Sequence, residues 1–169
     1  KALGINQGEF GIIASIVYAG LTLGSTVAIV VYHKSNLIKP ALCSTLAANA
    51  VAIYVFGRSS SYYIDVSLRF AIGFFQVFSC IFMPLWTDAF ANEKQKSVWL
   101  TFLLLASPLG IVFGFLMTSV FNAEIDGDEG WRYSFYTQCC LLTPMSIGFL
   151  FTSQKYLDID RTYKYREKC

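Results

Sequence analysis

Five long apolar runs, separated by short polar connectors, dominate this sequence. They lie at about 10–32, 37–56, 64–89, 98–121 and 133–151. A helix needs ~20 mostly apolar residues to cross a bilayer, and lipid offers the backbone no hydrogen-bond partner. The runs therefore predict an all-α polytopic transmembrane helix bundle at 1–153. Residues 154–169 are predicted to form a cytosolic tail or linker.

Composition agrees with a membrane protein and argues against several other classes. Only 14% of the residues are charged, against roughly 25% in a typical soluble domain. The formal net charge of +2 does not suggest a nucleic-acid partner. The five cysteines form no C-x-x-C pair and His33 is the one histidine, so we expect no metal and no cofactor. No nucleophile–base or phosphate-binding pattern is present, and an enzyme is therefore not expected.

Basic residues in the connectors predict the orientation of the chain, because cytosolic loops are enriched in Lys and Arg. One side holds Lys34, Lys39, Lys94, Lys96, Lys155, Arg161, Lys164, Arg166 and Lys168. The other side holds Lys1, Arg58 and Arg132. The first connector, the third connector and the tail are predicted to be cytosolic, and the N-terminus to lie outside or in a lumen. The chain begins with Lys rather than Met, so we expect it to be a fragment.

Arg69 lies inside the third apolar run, where a charge is costly and normally faces a bundle interior or a watery cavity. Gly73 and Gln76 follow at i+4 and i+7, on the same helix face. One interpretation is a cavity wall on which Arg69 meets an acid or an anionic solute and Gln76 supplies a hydrogen bond. The other is that Arg69 extends to the outer interface beside Asp65. Asn49, in the second run, is a further candidate for solute contact or for interhelical hydrogen bonding.

Small residues in two runs favour close helix packing. In the first run Gly20, Gly24 and Ala28 recur every four residues. In the fourth run Gly110 and Gly114 form a GxxxG pattern after Pro108.

Several short motifs follow one another in a fixed order. An R-x-x-x-G pattern at Arg69 and Gly73 precedes P-x-G-x-x-x-G at 108–114, and Gly-Trp-Arg at 130–132 opens the last run. This order resembles the N-terminal half of a major facilitator superfamily transporter, from its second to its sixth helix. The pattern at 108–114 is similar to that of spinster-like lipid transporters. The resemblance implies gating or structural roles for Gly73, Asp88, Lys96, Pro108, Gly110, Gly114, Trp131 and Arg132.

The chain departs from the family in one motif. Where the family carries Gly-x-x-x-Asp-Arg after its second helix, this chain has Ala28, Tyr32 and His33. The missing acid removes a charge that the family uses at its cytosolic gate. Asp88 and Lys96 match the acidic and basic positions that flank a later loop, so part of that charge cluster is expected to remain.

The resemblance implies a symporter or uniporter that moves a small organic solute by alternating access. Arg69 makes an anionic or amphiphilic solute the expected class. The expected partners are the lipid bilayer, the solute, and a C-terminal transporter half or another membrane subunit. The alternative is a degenerate transporter fold with a structural or accessory role in a membrane complex. The acidic loop at 124–129 lacks the spacing of an EF-hand and is expected to be a solvated connector.

Overall fold

Five helices make up the fold, and each covers one of the five apolar runs. The computed structural model describes residues 6–33, 37–125, 130–153, 156, 157 and 159. In chain order the helices are α1 Gln7–Tyr32, α2 Ile38–Arg58, α3 Tyr62–Phe90, α4 Glu93–Glu124 and α5 Gly130–Phe151. The all-α fold class is confirmed.

Within the described ranges, four helices, α1 to α4, are long and apolar enough to cross a membrane, with mean hydropathy between 1.5 and 2.2. α5 is not among them, because polar residues such as Gln138 lower its mean hydropathy. Many large apolar side chains point outward, as expected of a surface that meets lipid rather than water. On α4, for example, Phe102, Leu104 and Phe115 are 68%, 77% and 74% exposed.

Glycines bring α1 and α3 into close contact. A Cβ atom on Gly24 would lie 2.6 Å from the carbonyl oxygen of Phe74, and one on Gly20 would overlap the backbone of Phe70. From the other side, a Cβ atom on Gly73 would overlap the carbonyl oxygen of Val17. The small residues of the first run therefore lie at this interface, where a larger side chain would push the two backbones apart.

The buried apolar side chains form two clusters, one near each end of the bundle. The first contains Ala28, Tyr32, Ile38, Leu42, Val77, Phe78, Phe82, Ala89, Leu157 and Ile159. The second contains Ile13, Ala52, Ile53, Phe56 and Ile72, with Trp131, Phe135 and Leu142 of α5 packed against it. The first cluster marks the end predicted to be cytosolic, and the second lies toward the end predicted to face outward.

α4 lies at the edge of the bundle. It contacts α3 and α5, and its apolar window contains no buried residue. Gly110 and Gly114 have no atom within 4 Å of the position a Cβ would take. In this respect α4 differs from α1, where α3 covers Gly20 and Gly24.

Candidate functional site

A cavity of about 1140 Å³ opens between the helices at the end where α1, α3 and α5 begin. Its walls are largely apolar, with aromatic side chains from four helices. The polar side chains that line it are Asn6, Gln7, Asp65, Arg69, Thr118, Asn122, Ser134, Thr137 and Gln138. A mostly apolar cleft with a few convergent polar groups is the usual form of a small-molecule site.

Arg69 reaches this cavity from α3 and packs against two aromatic rings. Its Cζ atom lies 4.3 Å from the ring centroid of Phe56 and 5.4 Å from that of Phe135. The two rings pack edge to face, with centroids 4.9 Å apart. A cation over an aromatic face gains roughly 0.5–2 kcal/mol, with the larger values away from water. The Nε atom is nevertheless buried without a hydrogen-bond partner among the described residues.

Asp65 lies one helical turn before Arg69 and lines the same cavity. Its side chain is only 1% exposed, and its Oδ1 atom has no hydrogen-bond partner in the described part of the chain. Its charge acts on Arg69, although the two side chains do not come within ion-pair distance of each other. The sequence suggested Asp65 only as a neighbour of Arg69 at the interface. The i, i+4 spacing was the available signal that the two share a face.

The start of α5 forms another wall of the cavity and is tied to α2 by Arg132. The Nη1 atom of Arg132 donates to the carbonyl oxygens of Gly57 and Ser59, at 2.9 and 3.0 Å. Its Nη2 atom donates to Ser60 Oγ at 3.0 Å. These bonds fix the turn from which the neighbouring Trp131 and Phe135 project into the cavity.

α4 forms a further wall of the cavity and contributes Gly110 and Gly114 together with apolar side chains such as Met117. Both glycines of the sequence-derived GxxxG pattern thus line the cavity rather than a helix–helix contact within the described residues. Pro108 lies inside α4, one turn before this wall.

The other sequence-derived candidates lie elsewhere. Gln76 is exposed on α3 and does not line the cavity. Asn49 is 6% exposed in α2, also outside the cavity, and its Oδ1 atom has no hydrogen-bond partner among the described residues. Gly73 packs against α1. The structure therefore brings Arg69 together with Asp65 and the aromatic rings, and not with Gln76 or Asn49.

A second polar cluster lies at the opposite end of the bundle. Lys96, near the start of α4, forms an ion pair with Asp88 near the end of α3. Tyr32, which stands where the family carries an acid, is buried and donates from its hydroxyl to the carbonyl oxygen of Phe78 at 2.6 Å. Trp86 Nε1 donates to the carbonyl oxygen of Tyr156 at 2.9 Å. The Asp88–Lys96 pair and the hydrogen bonds from Tyr32 and Trp86 to backbone carbonyls all lie at this end.

No group of three metal-ligating side chains occurs among the described residues. Cys43, Cys80, Cys139 and Cys140 are free. Most of the acidic connector, at 126–129, and all of the basic residues of the tail lie outside the described residues.

Comparison with known proteins places this chain in a family. A sequence model of the Major Facilitator Superfamily matches residues 1–165, which is nearly the whole chain. Searches of curated proteins and of solved structures found no match.

Proposed function

This chain belongs to the major facilitator superfamily, a family of multi-pass membrane transporters, and from that membership we propose that it moves a small organic solute by alternating access. The observation that carries the proposal is a large open cavity with a guanidinium in its aromatic wall. Arg69 supplies the charge that binds the solute, and Phe56 and Phe135 hold the guanidinium in place. Alternating access further requires a second transporter half on the other side of the solute.

The orientation that we propose places the cavity at the outward or luminal end. Arg69 then meets solute entering from outside, and the Asp88–Lys96 pair lies on the cytosolic side. The excess of Lys and Arg in the first connector, the third connector and the tail supports this orientation.

Replacing Arg69 tests the proposal. We expect Arg69→Ala in the full-length protein to abolish uptake while surface expression is unchanged, because the cavity loses its cation whereas Phe56 and Phe135 still pack on each other. Uptake is measured in cells supplied with a panel of radiolabelled carboxylates, phosphate esters and amino acids.

Arg58→Ala is the matched control. Arg58 is exposed at the end of α2 and does not line the cavity, so its loss should leave uptake intact. Full uptake by Arg69→Ala would remove Arg69 from the mechanism. No uptake of any compound by the wild-type protein would favour the accessory role instead.

A further inference from the structure

The fixed charges of the cavity cancel. Among the described residues that line it, Asp65 and Arg69 are the two that carry a charge, and their signs are opposite. Arg69 alone would favour an anion. The presence of Asp65 in the same wall changes that expectation.

The two charges do not neutralise each other by direct contact. They form no ion pair, and each has one buried polar atom without a hydrogen-bond partner among the described residues, Asp65 Oδ1 and Arg69 Nε. Leaving a buried charged group unpaired is costly, and the cost is removed only when a partner of opposite sign arrives. Both residues line the same cavity, so a solute in it lies close to two opposite charges that do not pair with each other.

The charge of the solute follows from this arrangement. An anion would pair with Arg69 but would be repelled by Asp65, and a cation would meet the reverse problem. Because the wall has a low dielectric constant, the charge of Asp65 acts on the solute even though its carboxylate is almost closed off. We propose that the cavity binds a zwitterionic solute, whose anionic group lies against Arg69 and whose cationic group lies toward Asp65.

The aromatic walls fit the same solute. Phe56, Trp131 and Phe135 lie beside the two charges, and aromatic faces attract cations and cover apolar surface. The inference rests on the proposed function, because it concerns the same cavity. It narrows the proposed class of solute from any small organic compound to a compound whose charges sum to zero.

Three probes with one aromatic body test the proposal: phenylalanine, its N-acetyl derivative and its methyl ester. At about pH 6, below the pKa of the ester's amino group, they are a zwitterion, an anion and a cation. Binding to the purified full-length protein in lipid nanodiscs is followed by tryptophan fluorescence and by the thermal stability of the protein. We expect phenylalanine to bind about 10-fold or more tightly than either analogue.

Variants assign that preference to the two residues. Asp65→Asn should bind the N-acetyl derivative at least as tightly as phenylalanine, and Arg69→Gln should show the same change toward the methyl ester. Asp65→Glu keeps the charge and should keep the wild-type order, which separates loss of charge from loss of fold. Glu124→Gln is the control, because Glu124 is an exposed acid outside the cavity wall.

Tighter binding of the anion by the wild-type protein would overturn the proposal, as would an unchanged order in Asp65→Asn or the failure of all three probes to bind. The proposed function fails separately. Zwitterion binding without any uptake would support the zwitterion site and contradict transport. Arg69-dependent uptake of a simple anion would support transport and contradict the zwitterion site.

Discussion

Arg69 and Arg132 are both guanidinium groups near the same end of the bundle, yet their surroundings differ. Arg69 lies against two rings, and its guanidinium makes no hydrogen bond to another described residue. Arg132 donates to two backbone carbonyls and to a serine hydroxyl in the α2–α3 connector. A residue whose donors are used by the backbone stabilises the fold, whereas one whose donors face a cavity is free to bind a solute.

The role of Arg132 can be tested by a conservative change. Arg132→Lys should destabilise the full-length protein by about 1–3 kcal/mol, because one ammonium cannot reproduce the bonds to Gly57, Ser59 and Ser60. The thermal unfolding of the purified protein measures the effect. Arg58→Lys, at an exposed position, is the control. Equal unfolding temperatures for the two variants would argue against this anchoring role.

At the scale of helices, α1 and α3 pack backbone to backbone, whereas α4 stays at the edge. Gly20, Gly24 and Gly73 face main-chain atoms of the opposite helix, and Gly110 and Gly114 face open space. The same residue type therefore has different roles in two helices. In α1 and α3 it permits close approach, and in α4 it leaves two positions of the cavity wall, Gly110 and Gly114, without a side chain.

A pair of glycine variants separates these roles. Gly73→Ala should destabilise the protein by about 1–3 kcal/mol, because the new methyl group overlaps the carbonyl oxygen of Val17 and forces the helices apart. Gly148→Ala, in α5 with no atom within 4 Å, is the control and should be neutral or stabilising by up to ~1 kcal/mol. Chemical unfolding of the purified protein distinguishes the two. Similar stabilities would mean that the α1–α3 contact adjusts without cost.

The sequence predicts the helices of this chain more completely than it predicts the residues of the site. Apolar runs predict the five helices, because the cost of unpaired backbone in lipid leaves few alternatives. Arg69 is visible as a charge within such a run. The burial of Asp65 is not, since it depends on how the helices pack around that side chain. The position of α4 at the edge of the bundle likewise depends on tertiary packing, which its apolar sequence does not predict.

At the scale of the whole molecule, the two ends of the bundle differ in how far they are closed. One end contains the open cavity. At the other, Leu157 and Ile159 of the tail are each 4% exposed and join the first buried cluster, and Trp86 binds the carbonyl oxygen of Tyr156. Leu157 and Ile159 thus cover the ends of the helices at this side of the bundle.

Proteolysis of the tail tests this cover. Leu157→Ala should speed tryptic cleavage within the tail by about 5–30-fold, because the lost apolar contact favours local opening by 1–2 kcal/mol. Tyr156→Ala is the control, since the Tyr156 side chain is 61% exposed. The hydrogen bond from Trp86 is accepted by the backbone carbonyl of residue 156, which this substitution keeps. The cleavage rate of the intact protein in nanodiscs is followed on gels. Equal rates for both variants would show that burial of Leu157 does not hold the tail.

The opposite charges of Asp65 and Arg69 also bear on how transport would be energised. Moving one elementary charge across a membrane changes its free energy by about 2.3 kcal/mol per 100 mV. A wall whose fixed charges cancel, carrying a solute whose charges cancel, transfers no net charge in either direction. Under the zwitterion proposal, membrane voltage neither drives nor opposes the cycle, and the direction of flow is set by concentration alone unless a coupled ion is carried as well.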